Sequence, residues 1–186
     1  MDNDVSAGAT TTTIVGRLAL GITLLAFGLG HTDVIDGVTA ADAVSIAQYV
    51  GGIALFVAGL MAFRDRDTAN GTAFAALGAL WFTWAVSDAG SANAAGLFLL
   101  LFALVALSLT LAGGDQLGQG AYGLFFVALV LMAIAQFADN DGLTKVGGWF
   151  AVAAGAVAWY AATAAMAHWP TVLPKRAAGR GVTATG

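Results

Sequence analysis

Six long apolar segments, separated by short polar connectors, constrain the fold of this chain more than any other feature of its sequence. A helix needs about 20 apolar residues to cross the hydrocarbon core of a bilayer. Six windows of that length each contain no more than one charged residue, and they cover residues 11–30, 41–63, 70–89, 92–112, 118–138 and 145–168. We therefore expect an all-α integral membrane protein with six transmembrane helices per protomer.

The connectors between these windows indicate the domain organisation. They are short and rich in residues that favour turns, and none is long enough for a soluble domain. We expect one six-helix transmembrane domain over residues 11–168, an N-terminal tail over 1–10 and a C-terminal tail over 169–186. The N-terminal tail is acidic and lacks the basic segment of a signal peptide, so we interpret it as a cytoplasmic tail.

The composition predicts that the chain lies in a lipid bilayer and does not bind nucleic acid. Hydrophobic residues make up 59% of the sequence and charged residues 10%, whereas about 25% of the residues of a soluble domain are charged. The net charge of −4 leaves no basic face that could neutralise nucleic-acid phosphates. The absence of cysteine excludes disulfides and thiolate metal sites.

The distribution of Lys and Arg predicts the orientation of the helices, because cytoplasmic loops carry an excess of these residues. With six spans, the termini share one side with the second and fourth connectors. That side holds the basic residues Arg64, Arg66, Lys175, Arg176 and Arg180. The other side holds Lys145. We therefore expect a multi-pass protein of the cell (cytoplasmic) membrane with both termini in the cytoplasm.

Two segments share a pattern of glycines that favours close helix packing. Two glycines are followed by five residues and an Ala-Gly pair in the second window and again in the sixth. Small residues at this spacing let a neighbouring helix backbone approach closely, which is how helices associate in lipid. The predicted packing residues are Gly51, Gly52, Gly59, Gly147, Gly148 and Gly155.

No motif in the chain indicates an enzyme. Signatures of metalloproteases, nucleotide-binding loops and Gly-x-Ser-x-Gly hydrolases are missing from the sequence. Residues 139–142 superficially resemble a calcium loop, but they lack its third acid and its closing glutamate, so we interpret them as a turn. We expect no catalytic residue, no cofactor and no metal site.

Polar residues within the windows are the candidates for lining a path through the membrane. Arg17 lies one to two turns into the first window, where it either extends to the cytoplasmic headgroups or provides a fixed cation at the inner mouth of an anion path. The hydroxyl and amide side chains either bond to helix carbonyls or line that path. The candidates for the path are Thr23, Thr72, Thr83 and Gln136.

Several short matches give the chain a resemblance to a known family. They comprise residues 51–54 and 58–60, residues 72–74 and 78–81, residues 148 and 149 with Gly155, Ala158 and Tyr160, and residues 172–174. Together they resemble the acetate uptake transporter family, also called the succinate–acetate permeases. The resemblance implies a ring-shaped homo-hexamer in which each six-helix protomer has its own narrow path for acetate or a similar short carboxylate.

The resemblance also implies an apolar constriction within each protomer, made in the family by a Phe, a Tyr and a Leu from the first, third and fifth spans. Leu20, Leu77 and Leu129 occupy these places here. The family's Asn-Pro-Ala-Pro-Leu-Gly-Leu signature before the first span appears as residues 11–17, which keep only Gly16. An apolar neck can gate by dewetting, and leucines would serve this purpose.

Three functions are therefore compatible with the sequence. The first is a channel or permease for acetate or similar short-chain carboxylates. The second is a pore for small neutral solutes on the same scaffold, which the all-leucine neck and the absence of midspan carboxylates favour. The third is a non-transporting structural membrane protein, which the altered signature before the first span favours.

Overall fold

The computed structural model describes residues 10–87 and 90–169, which form six long helices. These are α1 (Thr11–Gly30), α2 (Ala40–Arg64), α3 (Thr68–Val86), α4 (Ala92–Leu111), α5 (Gln116–Ala138) and α6 (Asp141–Ala167). The predicted all-α fold is confirmed. Five of the helices are long and apolar enough to cross a membrane, and α3 is not among them. The count of six transmembrane spans therefore stays a prediction.

The predicted tails lie almost entirely outside the described residues. Of residues 1–10 the structure describes Thr10, and of residues 169–186 it describes Trp169. Also outside the described part of the chain are Lys175, Arg176 and Arg180, which were predicted to be cytoplasmic, and the family match at residues 172–174.

The helices begin where a side chain can satisfy the free backbone N–H groups of the first turn. Side-chain oxygens accept such hydrogen bonds from α1, α3, α4, α5 and α6 at Thr10, Asp67, Ser91, Asp115 and Asn140. At the start of α2, Asp42 Oδ2 accepts a hydrogen bond of 2.8 Å from the backbone N–H of Thr39. These are residue types that favour N-caps, which explains why the observed boundaries fall close to the predicted windows.

The helices are arranged as a ring in chain order. α1 packs against α2 and α6, α2 packs against α3, and α5 packs against α4 and α6, while α3 and α4 meet over a smaller contact. Large buried side chains fill the inside of this ring, mainly from α1, α3, α4 and α5. Those four helices therefore supply most of the large side chains inside the ring.

The predicted packing glycines lie at contacts between neighbouring helices. A Cβ at Gly59 of α2 would lie 2.5 Å from the backbone nitrogen of Ala75 in α3, and one at Gly155 of α6 would lie 2.7 Å from that of Leu25 in α1. Gly51 and Gly148 face α1, Gly52 faces α3, and Gly147 faces α5. Side chains at these positions would push the backbones apart, so α2 and α6 each use one glycine pattern to contact two helices.

Helix α2 departs from regular α-geometry over Ala47–Ala54, which is π-helical. This wider segment contains both Gly51 and Gly52. A Cβ at Gly51 would lie 2.5 Å from Thr23 Cγ2 and 3.1 Å from Trp81 Cγ. The π segment thus lies directly against the buried tryptophan of α3, and short π-helical stretches are frequent beside functional sites.

Large apolar side chains also cover much of the outside of the ring. Their exposed surfaces lie on several helices, as in Tyr49, Leu60 and Met61 of α2, Leu101 and Leu104 of α4, and Trp149 and Trp159 of α6. Soluble monomers rarely expose apolar surface on this scale. The distribution fits a molecule surrounded by hydrocarbon or by further copies of itself.

Candidate functional site

Two cavities lie at opposite ends of the helix ring. The first, which we call the charged vestibule, has a volume of about 400 Å³ and is lined by residues that include Arg17, Asn70, Thr72, Asp115, Gln119 and Tyr122. The second, which we call the aromatic vestibule, has a volume of about 290 Å³ and is lined by residues that include Phe27, His31, Trp84, Phe98, Gln136 and Thr144. Because α1 lines one cavity near its start and the other near its end, the two cavities face opposite ends of the bundle.

An ion pair crosses the charged vestibule. Arg17 Nη2 of α1 donates a hydrogen bond to Asp115 Oδ1, at the start of α5. The other carboxylate oxygen of Asp115 accepts a 2.9 Å hydrogen bond from the backbone N–H of Gly118. Asp115 follows Gly113 and Gly114, whose φ angles of 84° and 120° suit glycine and turn the chain back towards α1. Asp115 is therefore both the cap of α5 and the counterion of Arg17.

A second polar network ties the start of α1 to the connector before α3. Thr12 Oγ1 donates a 2.7 Å hydrogen bond to Asp65 Oδ2, and Thr13 Oγ1 donates one of 3.4 Å to Asp67 Oδ2. Asp67 also accepts a 2.7 Å hydrogen bond from the side-chain amide of Asn70 in α3. Acidic caps of α3 and α5 thus both contact the first half of α1, which carries Arg17, the one basic residue among the described residues that line the charged vestibule.

The aromatic vestibule contains a histidine in place of an ion pair. His31, the residue after α1, donates from Nδ1 to the carbonyl of Phe27 at 2.7 Å, and its ring centroid lies 4.5 Å from that of Phe27. Burial lowers the pKa of His31 below its ordinary value, against the smaller opposing effects of the Phe27 carbonyl and Asp33. With Nδ1 acting as the donor, Nε2 of a neutral ring is free to accept a hydrogen bond.

A barrier of buried apolar side chains separates the two vestibules. Each of its members is at most 2% exposed and lines neither cavity: Leu20, Leu24, Phe74, Leu77, Trp81, Phe102, Phe125 and Leu129. Arg17 and Phe27 lie ten residues apart on α1, as do Tyr122 and Met132 on α5, and each pair has one member in each vestibule. Ten helical residues correspond to roughly 15 Å, which is the approximate thickness of the barrier.

Aromatic rings form the part of the barrier next to the aromatic vestibule. The ring centroid of Trp81 lies 5.1 Å from that of Phe27, 5.4 Å from Phe102 and 5.6 Å from Phe125. Phe27 and Trp84, whose ring centroids lie 5.2 Å apart, both contact Trp81 and both line the aromatic vestibule. Within the described residues, Trp81 Nε1 is the one buried side-chain nitrogen or oxygen without a hydrogen-bond partner.

The structure places the predicted path residues in different surroundings. Arg17 and Thr72 line the charged vestibule, Gln136 lines the aromatic vestibule, and Leu20, Leu77 and Leu129 lie in the barrier between them.

The other two predicted path residues have their hydroxyls bonded within their own helices. Thr23 is buried and donates to the carbonyl of Ala19 at 2.8 Å. Thr83 is exposed, donates to the carbonyl of Ala79 at 2.8 Å and lines neither vestibule. Two helical residues rotate a side chain by about 200°, so Thr83 lies opposite Trp81 on α3.

A regular spacing in the sequence could have revealed several residues of the barrier and the vestibules that the sequence analysis did not name. Phe74, Leu77, Trp81 and Trp84 follow one another on α3 at intervals of three or four residues. The same intervals on α5 connect Tyr122, Phe125, Leu129, Met132 and Gln136. Such intervals mark one helical face, and in both helices that face runs from the barrier into a vestibule. Asp115 and His31 had no comparable signal.

The sequence of this chain is similar to those of known membrane transport proteins and of one regulator protein. Residues 7–173 match the model for the GPR1/FUN34/yaaH family. The succinate-acetate/proton symporter SatP of Escherichia coli K12 is 29% identical over 162 residues, which cover 80% of this chain and 84% of that protein. The glyoxylate pathway regulator of Yarrowia lipolytica is 25% identical over 170 residues, covering 83% of this chain and 63% of that protein.

Two further similarities bear on the fold and on the range of relatives. Ammonia transport outward protein 2 of Saccharomyces cerevisiae is 29% identical over 143 residues, which cover 67% of this chain and 50% of that protein. The chain thus spans half to two thirds of these fungal relatives. A solved structure of the bacterial acetate channel SatP has a TM-score of 0.78, with 23% identity over 86% of this chain and 93% of the other, and it shows the same fold.

Proposed function

Because the chain belongs to the GPR1/FUN34/yaaH family, we propose that it is a membrane channel or permease for acetate or similar short-chain carboxylates. The observation that carries the proposal is the pair of vestibules at opposite ends of one protomer, separated by an apolar barrier about 15 Å thick. The substrate would cross inside each protomer, through the barrier that contains Leu20, Leu77 and Leu129.

The chemistry of the charged vestibule supports a carboxylate as the substrate. The guanidinium of Arg17 matches a carboxylate in charge and geometry, and it already holds one in Asp115. Thr72 and the hydroxyl of Tyr122 line the same cavity and offer further donors. A small carboxylate arriving from this side would meet a complementary cation before it meets the barrier.

The chemistry of the barrier favours passage of the neutral acid, or passage together with a proton. Its side chains are apolar, apart from the indole N–H of Trp81, and carry no charge to accompany an anion. Moving one negative charge against a membrane potential costs about 2.3 kcal/mol per 100 mV. Loss of that charge by protonation removes this cost, and the substrate then crosses as an uncharged molecule.

The proposal includes a membrane position and an assembly. Both termini would lie in the cytoplasm, so that the charged vestibule opens to the cytoplasm and the aromatic vestibule to the outside. All six helices would cross the cell membrane, including α3, whose Asn70 and Thr72 face the charged vestibule rather than lipid. The exposed apolar faces of α2, α4 and α6 would be covered by lipid and by neighbouring copies in a ring of six.

A pore for small neutral solutes is a second candidate function, and the ion pair of the charged vestibule favours it. With Arg17 bonded to Asp115, the two opposite charges cancel, and no charged residue follows in the barrier. A neutral molecule would meet no electrostatic penalty along such a path. The similarity to a relative named for ammonia transport agrees with this alternative.

Flux measurements on the purified protein in liposomes test both functions. We expect labelled acetate to enter protein-containing liposomes faster than protein-free liposomes, and to enter faster as the pH is lowered. Stopped-flow shrinkage with neutral osmolytes measures the alternative on the same preparation. Acetate flux equal to that of protein-free liposomes at every pH would contradict the first function. Equal values in both assays would leave a structural membrane component as the remaining hypothesis.

A further inference from the structure

Trp81 presents an unused hydrogen-bond donor inside the barrier. Its side chain is 0% exposed, and its Nε1–H has no partner among the described residues. The large majority of buried side-chain polar atoms in native structures have a hydrogen-bond partner, so an unpaired one calls for an explanation. A phenylalanine would fill an apolar site without this unsatisfied group.

The surroundings of Trp81 are mainly aromatic, and no acceptor of a described residue forms a hydrogen bond with its Nε1–H. Its nearest aromatic neighbours are Phe27, Trp84, Phe102 and Phe125, with ring centroids 5.1 to 5.9 Å away. The nearby hydroxyl of Thr23 donates to the carbonyl of Ala19 within its own helix and accepts no hydrogen bond from Trp81 Nε1. An N–H directed at an aromatic face is a weak interaction and replaces only part of a hydrogen bond.

Trp81 also has a definite position along the barrier. On α3 it lies eight residues after Ala73, which lines the charged vestibule, and three residues before Trp84, which lines the aromatic vestibule. At 1.5 Å per residue, these separations are about 12 Å and about 4.5 Å. The unpaired donor is therefore about one helical turn inside the barrier on the side of the aromatic vestibule.

We propose that the indole N–H of Trp81 is a binding site for the carboxyl oxygen of the permeating acid inside the barrier. This inference rests on the proposed carboxylate function and adds a residue that determines specificity within the path. The donor would hold the oxygen between the polar groups of the two vestibules, which divides the apolar crossing into a long step and a short one. Phe27 and Trp84 would move aside for the short step, because both rings contact Trp81 and line the aromatic vestibule.

The substitution Trp81→Phe separates this role from a packing role. It keeps an aromatic ring but removes the donor, so acetate flux should fall about fivefold, the factor expected for one lost neutral hydrogen bond of ordinary strength. The thermal midpoint in detergent should stay unchanged or rise, because the folded state no longer buries an unpaired N–H. Trp149→Phe, at a tryptophan that is 50% exposed on α6, is the matched control and should change neither quantity.

A closer analogue of tryptophan tests the same role if Trp81→Phe leaves a cavity in the barrier. Benzothienylalanine, placed at position 81 alone, keeps the shape of the indole and replaces the N–H by sulfur. It should reproduce the loss of acetate flux of about fivefold at an unchanged thermal midpoint. In addition, the indole ¹⁵N–¹H signal that Trp81→Phe removes should shift downfield when acetate is added, since the donor then acquires an acceptor.

Each possible outcome of these experiments either supports or overturns the proposed role of the Trp81 N–H. Retention of wild-type acetate flux by both variants would overturn the inference and leave the proposed carboxylate function standing. Equal losses of flux and thermal stability in both variants would assign Trp81 a packing role and overturn the inference as well. A loss of water permeability with unchanged acetate flux would make water the acceptor instead of the acid. Absence of acetate flux through the unsubstituted protein would overturn the proposed function and the inference together.

Discussion

The two vestibules differ in chemistry although α1, α3, α4 and α5 line both of them. The charged vestibule contains an ion pair between Arg17 and Asp115, the acidic cap of α5. The aromatic vestibule contains the rings of Phe27 and Trp84 beside His31, a histidine whose pKa is lowered by burial. Under the proposed function, the charged vestibule would therefore recognise a charged carboxylate, while the aromatic vestibule would be suited to an uncharged acid. Under the proposed function, the two ends of the path would bind different protonation states of the same substrate.

The difference follows from the direction of the helices. α1, α3 and α5 begin beside the charged vestibule, and helix N-termini have partial positive charge and free N–H groups that favour acidic caps. Asp67 and Asp115 are such caps, and both lie close enough to contact residues of α1. The same three helices end towards the aromatic vestibule, where their last turns carry Phe27, Trp84 and Gln136.

Removal of the cation should have the largest effect on this contrast. In Arg17→Gln, the vestibule keeps Asp115 but loses its attraction for anions, so acetate flux should fall about tenfold, as expected for a lost charge-assisted hydrogen bond. Lys145→Gln is the matched control, because Lys145 forms a 3.0 Å ion pair with Asp33 at the other end of the bundle. The side chains of Lys145 and Asp33 are 49% and 65% exposed. Equal effects of the two substitutions on labelled-acetate flux would remove the distinction between the two ends.

Removal of the counterion should have a smaller effect of opposite sign. Asp115→Asn keeps a side-chain oxygen for the cap of α5, since Asn and Asp are comparable N-caps, but it releases Arg17 for the substrate. The apparent affinity for acetate should increase by up to about fivefold, the upper range for a partly exposed ion pair. Asp33→Asn serves as the control and should leave affinity unchanged. A lower affinity in Asp115→Asn would mean that Asp115 positions Arg17 instead of competing with the substrate.

The aromatic vestibule should respond to pH through His31, with a smaller effect. Because burial lowers the pKa of His31 in the folded protein below 6.5, the unfolded chain binds the proton more readily. Stability is then fully present above pH 6.5 and is lost as the pH falls through the lowered pKa. The thermal midpoint of the wild type should decrease over this range, and His31→Gln should lack that component. A ¹⁵N titration in which His31 has an ordinary or raised pKa would contradict this prediction.

How much the sequence alone could reveal differs between the fold and the path. The apolar windows and the capping residues determine the helix bounds, because length and local hydrogen bonding act within a few residues. The barrier leucines and Arg17 were identifiable as candidates, since an apolar neck and an intramembrane charge are local features. Asp115 was not identifiable as the partner of Arg17, because the two residues are 98 positions apart in the sequence. The unpaired N–H of Trp81 depends on four neighbouring rings and required the packed structure.

Two threonines of the same helix provide the finest test of the contrast between the path and the outer surface. Thr72 of α3 lines the charged vestibule, whereas Thr83 lies on the outside of the ring and donates to the carbonyl of Ala79. Thr→Val keeps the shape and removes the hydroxyl at either position. Thr72→Val should reduce acetate flux by about twofold, since one exposed neutral hydrogen bond contributes about 0.5 kcal/mol. Thr83→Val should leave the flux unchanged, because its hydroxyl is already bonded within the helix. A larger loss of flux in Thr83→Val than in Thr72→Val would contradict a path inside the ring and indicate one along its outer surface.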